Sequence, residues 1–153
     1  MIKNADHITV VVSDLPAAIK FFNLLGFIKT HATIIEDEPF AKYMNIPNIK
    51  ADHITLVLYH NNKEAEPHFE IQLLHFYNPI PKKDSYINRL DKYGYNHLCF
   101  AVDDIEELIK KLQHNDVKIL SNILDFNDRK LIYFAGPDGI ILELAELKNT
   151  VKS

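Results

Sequence analysis

The chain repeats itself. Asp6-His7-Ile8-Thr9-Val10-Val11-Val12-Ser13-Asp14-Leu15 lies over Asn96-His97-Leu98-Cys99-Phe100-Ala101-Val102-Asp103-Asp104-Ile105 at an offset of 90 residues. Each block opens on a histidine, runs through apolar residues and enters a helix at an aspartate. Downstream, Phe69-Glu70-Ile71-Gln72-Leu73-Leu74 lies over Ile140-Ile141-Leu142-Glu143-Leu144-Ala145 at an offset of 71. The offset falls from 90 to 71, so the first copy carries 19 more residues, mostly between Glu36 and Asp52. Two copies of one supersecondary unit must each find a partner surface for their apolar face, which limits the folds open to the chain.

Local patterns fill in the unit. His7 to Val12 is rich in β-branched residues and reads as a buried strand. Ser13-Asp14-Leu15-Pro16 supplies a helix start, Leu15, Ile19, Phe22 and Leu25 recur at helical spacing, and Gly26 suits the left-handed cap. Phe27 to Ile35 is a second strand. Glu36 to Asp52, with Pro39 and Pro47, reads as a long loop whose Phe40, Tyr43, Met44 and Ile46 fold over something. Ile54 to Tyr59 and Phe69 to Phe76 form a strand pair joined through the turn Asn61-Asn62-Lys63. A connector, Pro79 to Gly94, carries a short helix around Asp84 to Lys92. The second copy follows. His97 to Val102 is a strand, and Asp103 with Glu106 forms a capping box for a helix carrying Ile105, Leu108, Ile109 and Leu112. Val117 to Leu124, Lys130 to Phe134 and Ile140 to Leu147 are strands, the last two separated by the turn Pro137-Asp138-Gly139.

Successive side chains of a strand point to opposite faces. One face then holds Ile8, Val10, Val12, Phe69, Ile71, Leu73, Leu98, Phe100, Val102, Ile140, Leu142 and Leu144, and suits burial under the two helices. The other holds His7, Thr9, Val11, Glu70, Gln72, Leu74, His97, Cys99, Ala101, Ile141, Glu143 and Ala145, which are smaller and more polar. The expected fold is α+β: two tandem βαβββ modules, about 4–76 and 95–147 with a connector at 77–94, in a curved mixed sheet that encloses a cavity, helices outside. Imidazoles, an amide and carboxylates facing such a cavity need partners, because burying them unpaired costs several kcal/mol. A divalent metal is an economical partner.

Composition narrows the function. Seventeen basic against 21 acidic residues leave a net charge of −4, with no basic block to grip phosphates, so nucleic acid is an unsuitable partner. The opening MIKNADHITVVVSD has one lysine and an apolar run too short for a signal peptide or membrane span. A single cysteine, Cys99, excludes an intrachain disulfide and fits a reducing, cytoplasmic setting. No Gly-rich phosphate loop, Ser-His-Asp motif or CxxC is present.

The stretches DHITVVVSDLPAAIKFFNLLGF, FEIQLL, YNHLCFAVDDIEELIKKL and IYFAGPDGIILELAEL resemble the vicinal oxygen chelate superfamily, over roughly residues 4 to 147. That superfamily includes glyoxalase I, methylmalonyl-CoA epimerase, extradiol dioxygenases and bleomycin-resistance proteins. The resemblance implies paired βαβββ modules curved around one divalent metal ion (Zn, Ni, Co, Mn or Fe). Its ligands would be His7, Gln72, His97 and Glu143, and the usual assembly a homodimer. Most relatives carry glutamate where Gln72 stands. Glu70 lies one pleat away on the same face, and Gln72 is preferred as the repeat partner of Glu143. A His-Gln-His-Glu set resembles methylmalonyl-CoA epimerases and glyoxalases, although Lys50 to Thr55 contains no glutamate to serve as the epimerase's separate catalytic residue.

The reaction implied is proton abstraction next to a carbonyl of a small-molecule substrate, with Glu143 as the proton-moving group. Two alternatives stay open. One is an Fe(II) dioxygenase with His7, His97 and Glu143 as a facial triad and Tyr133 near the substrate. The other is a metal-free binding protein of the bleomycin-resistance kind. His31, His53, His60, His68, His75 and His114 read as surface or turn residues, with His53 and His75 held open. Cys99 reads as a small packing residue and Tyr133 as core packing before catalysis. Arg89, Lys92, Arg129 and Lys130 read as solvated surface.

Overall fold

A computed structural model describes residues 1–148. It divides into two units, Met1–Lys83 and Asp84 onward. The first runs β1 (His7–Val11), α1 (Leu15–Leu24), β2 (Phe27–Ile35), α2 (Glu38–Met44), β3 (Lys50–His60), β4 (Lys63–Glu64) and β5 (Glu70–Asn78). The second runs β6 (Leu98–Val102), α3 (Ile105–His114), β7 (Leu124–Phe126), β8 (Arg129–Ala135) and β9 (Ile141–Leu147). Both are βαβββ units, and the class is α+β.

The sheets repeat one topology. The first has the order β1-β5-β3-β2, with β4 paired to β3, and the second has β6-β9-β8-β7. In each, the opening strand runs parallel to the last, while the other main pairings are antiparallel. A parallel pair requires a crossover, which the intervening helix and strands supply. Neither sheet closes on itself: β1 and β2 are the edges of one, β6 and β7 of the other.

The alternation predicted from the strands places the core. Ile71 and Leu73 on β5, with Ile54 and Leu56 on β3, face the same side and are buried. α1 lays Ala18 and Phe22 against that unit's core, and the Phe22 ring meets Phe27 edge-on at 6.2 Å. In the second unit α3 buries Ile105 and Leu112, and Leu142, Leu144, Ile132 and Phe134 are the buried strand residues on one side. Gly26 follows α1 at φ +93°, and a Cβ there would stand 3.2 Å from the Tyr59 carbonyl oxygen. A left-handed turn pressed against backbone leaves room for glycine alone.

Four expectations change. Glu36 to Asp52 is not all loop: Asp37 caps a seven-residue helix, α2, ended by Asn45 at φ 54°, and Lys50 to Asp52 belong to β3. The cap of α3 is Asp104, which accepts from the Glu107 amide, one residue later than the expected Asp103–Glu106 box. Residues 84–92 form turns, without a helix. Residues 117–123 are mostly irregular, joined to the sheet by a bridge from Ile119 to Phe134, so the second unit's second strand shrinks to Leu124–Phe126.

Truncating Phe22, which is fully buried, removes the ring that ties α1 to the sheet. Phe22→Ala is expected to lower the unfolding free energy by about 3–5 kcal/mol, read from the urea midpoint at unchanged m-value.

Candidate metal centre

The register reproduces the repeat. Thr9 stands opposite Gln72 in the first unit, and Cys99 stands opposite Glu143 in the second. Adding the two offsets to the first pair gives the second. Gln72, rather than Glu70, therefore occupies the level that Glu143 occupies in its own unit. Glu70 stands opposite His7.

In the second unit His97 and Glu143 meet, with Nε2 3.0 Å from Oε2. Glu143 is only 7% exposed, among the buried residues of β9. The ring tautomer follows from its neighbours. Asn96 donates its Nδ2 to the Leu90 carbonyl at 2.6 Å, which turns its Oδ1 toward the ring, and that oxygen accepts from His97 Nδ1 at 2.8 Å. Nε2 then bears a lone pair facing a carboxylate. Two lone pairs at 3.0 Å repel unless a proton or a cation lies between them. A proton or a cation between them would each satisfy that separation, and an imidazole beside a carboxylate is a donor pair that would suit a divalent ion. A partner behind Nδ1, leaving Nε2 in front, is also the arrangement that fixes metal-binding imidazoles.

The first unit has the same device with its chemistry exchanged. His7 Nδ1 donates to Asp6 Oδ2 at 2.7 Å, again leaving Nε2. Gln72 donates from Nε2 to Glu70 Oε2 at 2.8 Å and accepts at Oε1 from His53 Nε2 at 3.1 Å. Glu70 also accepts from His68 Nε2 at 3.0 Å, and His68 Nδ1 bonds Glu64. The Gln72 amide, and then His68, hold the Glu70 carboxyl below its ordinary range. The carboxylates of Glu64 and Glu70 raise His68. No hydrogen bond joins His7 to Gln72 among the described residues, and no three His, Cys, Asp or Glu side chains converge there closely enough to hold an ion alone. The structure thus brings His97 and Glu143 into contact and leaves His7 and Gln72 on one face without contact.

The remaining candidates fall into place around these. Tyr133 stands opposite Glu143, and its ring meets His97 edge-on at 5.1 Å, so it faces the site rather than the core. Burial, then Glu143 and Cys99, raise its phenol. His53 and His75 are half-buried strand residues, contrary to the expectation of surface or turn positions, and His68 is half-buried beside β5. The place of His53, one pleat from Thr55, the residue opposite Gln72, is a consequence of pairing that strand alternation alone does not supply. His75 points to the opposite face, against Asp52, which also accepts from Tyr77 at 2.7 Å. His31, His60 and His114 are exposed, as expected. Arg89, Lys92 and Lys130 pair with Asp91, Asp84 and Glu106, and Arg129 lies 3.8 Å from Asp128.

Cys99 is exposed as a residue, yet its thiol lies toward Glu143. Desolvation first, then the Glu143 carboxylate that accepts from it, push the thiol up to about 12.

A model of the glyoxalase/bleomycin resistance protein/dioxygenase superfamily matches residues 4–144. The chain is 31% identical over 148 residues to the metallothiol transferase FosB of Staphylococcus haemolyticus, covering 94% of this chain and 84% of that protein. It is 29% identical over 91 residues to glyoxalase I of Saccharomyces cerevisiae, covering 54% of this chain and 28% of the yeast protein. Among solved structures, a glyoxalase family protein from Bacillus cereus superposes with a TM-score of 0.86 at 23% identity, covering 97% of both chains. A FosX mutant from Listeria monocytogenes, complexed with Mn(II) and dihydroxypropylphosphonic acid, superposes with a TM-score of 0.60 at 16% identity over 97% of this chain and 96% of that one. These structural likenesses concern the fold.

A thiol held up to about 12 is almost wholly protonated at pH 8. In metal-free protein Cys99 is expected to react with iodoacetamide more than about tenfold slower than in the guanidinium-unfolded chain, followed by mass spectrometry. Equal rates would show that burial and Glu143 do not restrain it.

Proposed function

The chain belongs to the glyoxalase/bleomycin resistance protein/dioxygenase superfamily, and we propose that within it the protein is a divalent-metal-dependent enzyme of glyoxalase type that moves a proton at the carbon next to a carbonyl of a small molecule. His7, Gln72, His97 and Glu143 are the donors in this reading, as the superfamily resemblance implies. The observation that carries it is the 3.0 Å approach of His97 Nε2 to a buried Glu143 carboxylate, with the far side of the ring already bonded. Two imidazoles, an amide and one carboxylate suit a first-row divalent ion and leave positions for substrate oxygens. Bound there, such an ion supplies Lewis acidity toward a carbonyl or an adjacent oxygen pair.

The chain's own residues do the rest. Asp6 and Asn96 fix the orientation of His7 and His97. Glu143 takes the proton from the substrate carbon at a carboxylate oxygen and returns it to the neighbouring position. Its burial keeps competing water scarce, and Tyr133 packs beside it from the next strand. A second reading, metal-dependent transfer of a thiol, is favoured by the 31% identity to FosB over nearly the whole chain. The two differ in product: proton transfer yields an isomer of unchanged mass, whereas thiol transfer yields an adduct heavier by the thiol. A homodimer in the cytoplasm is the setting this reading expects.

Untagged protein purified without chelator is expected to hold about one divalent ion per chain by elemental analysis, lost in the His7→Ala/His97→Ala variant. Glu143→Gln should lower turnover of a hemithioacetal or acyl-CoA substrate by about a hundredfold or more. Iron with oxygen uptake on a catechol would replace this reading with a dioxygenase. No ion in either protein, even after incubation with each metal, would leave a small-molecule binding module.

A further inference from the structure

Glutamine is an uncommon donor. Its amide nitrogen has no free lone pair, so only the oxygen can serve, and a free side chain presents either end. In this chain both ends are assigned. Glu70 Oε2 is acceptor-only and takes the amide NH2 at 2.8 Å, which turns the oxygen the other way. There it meets His53 Nε2 at 3.1 Å. Glu70 is itself fixed, because its second oxygen accepts from His68, and His68 is tied through its other nitrogen to Glu64. Each oxygen of Glu70 thereby accepts one hydrogen bond, which fixes the carboxylate in place.

We propose that Glu70 and His53 form a two-sided clamp that fixes the Gln72 carboxamide oxygen as the group presented to the metal, with His53 a positioning residue. The inference rests on the metal reading above. The clamp has an electronic side. A carboxylate on the amide NH2 draws the carbonyl electrons toward oxygen, making that oxygen a better donor. The His53 N–H uses one lone pair of Oε1 and leaves the second. His53 reaches Gln72 diagonally across the β3–β5 ladder, since Thr55 is the residue directly opposite Gln72 and His53 stands opposite Leu74. Half-burial of both side chains limits the water that would otherwise take either bond.

The test is titration of the full chain with Co(II), whose visible absorption reports the ligand set as well as the affinity. Wild type should bind one Co(II) per chain, and His97→Ala should not. His53→Ala should bind about tenfold more weakly with a shifted absorption band, as expected for loss of a bond behind a ligand. Glu70→Ala should change both quantities in the same direction. His53→Gln, whose amide NH2 reaches about as far as Nε2, should recover affinity and spectrum to within about threefold. Circular dichroism on each variant confirms folding. If wild type takes no Co(II), the metal reading fails and the clamp with it. If wild type binds and His53→Ala binds identically, the clamp alone is overturned. If His53→Gln stays as weak as His53→Ala, the imidazole acts otherwise than as an N–H donor, and the positioning role is overturned.

Discussion

Parallel pairing of the first strand with the last is the constraint on which the rest of each unit depends. It brings residues more than forty positions apart in sequence to the same level: Thr9 beside Gln72, Cys99 beside Glu143. Because side chains alternate across a strand, that one register decides which residues lie under a helix and which face away. A slip by one residue in the β6–β9 pair would send Glu143 into the apolar layer that Leu142 and Leu144 now fill, an outcome opposed by the full desolvation cost of a carboxylate. The hydrophobic pattern and the candidate site are therefore set by the same hydrogen bonds.

The two units have diverged in a complementary way. Around His7 the carboxylate, Asp6, stands behind the ring, and the amide, Gln72, is on the neighbouring strand. Around His97 the amide, Asn96, stands behind and the carboxylate, Glu143, in front. A carboxylate behind an imidazole strengthens it as a donor, while an amide only orients it. Each unit thus combines one anionic and one neutral group with a histidine, and only the positions are exchanged. The polar chain from Glu64 to His53 has no counterpart in the second unit among the bonds described above, and it surrounds Gln72, at the level where the second unit carries Glu143.

Much of this was legible from residues alone. The repeat, the strand parity and the equivalence of Gln72 with Glu143 all follow from periodicity and offset. What escaped has physical reasons. α2 is seven residues long, with Pro39 near its start and Asn45 in a left-handed conformation at its end, too short for a hydrophobic period to register. Asp103 and Asp104 are adjacent possible caps, and only the backbone angle at Asp104 decides between them. Val117 to Leu124 has apolar residues enough for a strand, yet ahead of β7 it pairs only at the Ile119–Phe134 bridge, and apolar content alone does not report pairing. The role of His53 depends on how β3 aligns with β5, which includes a register shift near Lys50 and Ala51. Alternation assigns its face; long-range pairing assigns its neighbour.

The extra residues of the first copy give its polar face two unlike ends. Ile35, Ile49 and Leu74 form a buried cluster, with Ala41, Met44, Ile46 and Phe76 packed against it, so the segment carrying α2 seals the sheet just beyond His53. At the other end of the row His7 is exposed, whereas His53 is half-buried. One end of the polar face is dry and the other wet, so a hydrogen bond near His53 competes with less water than one near His7.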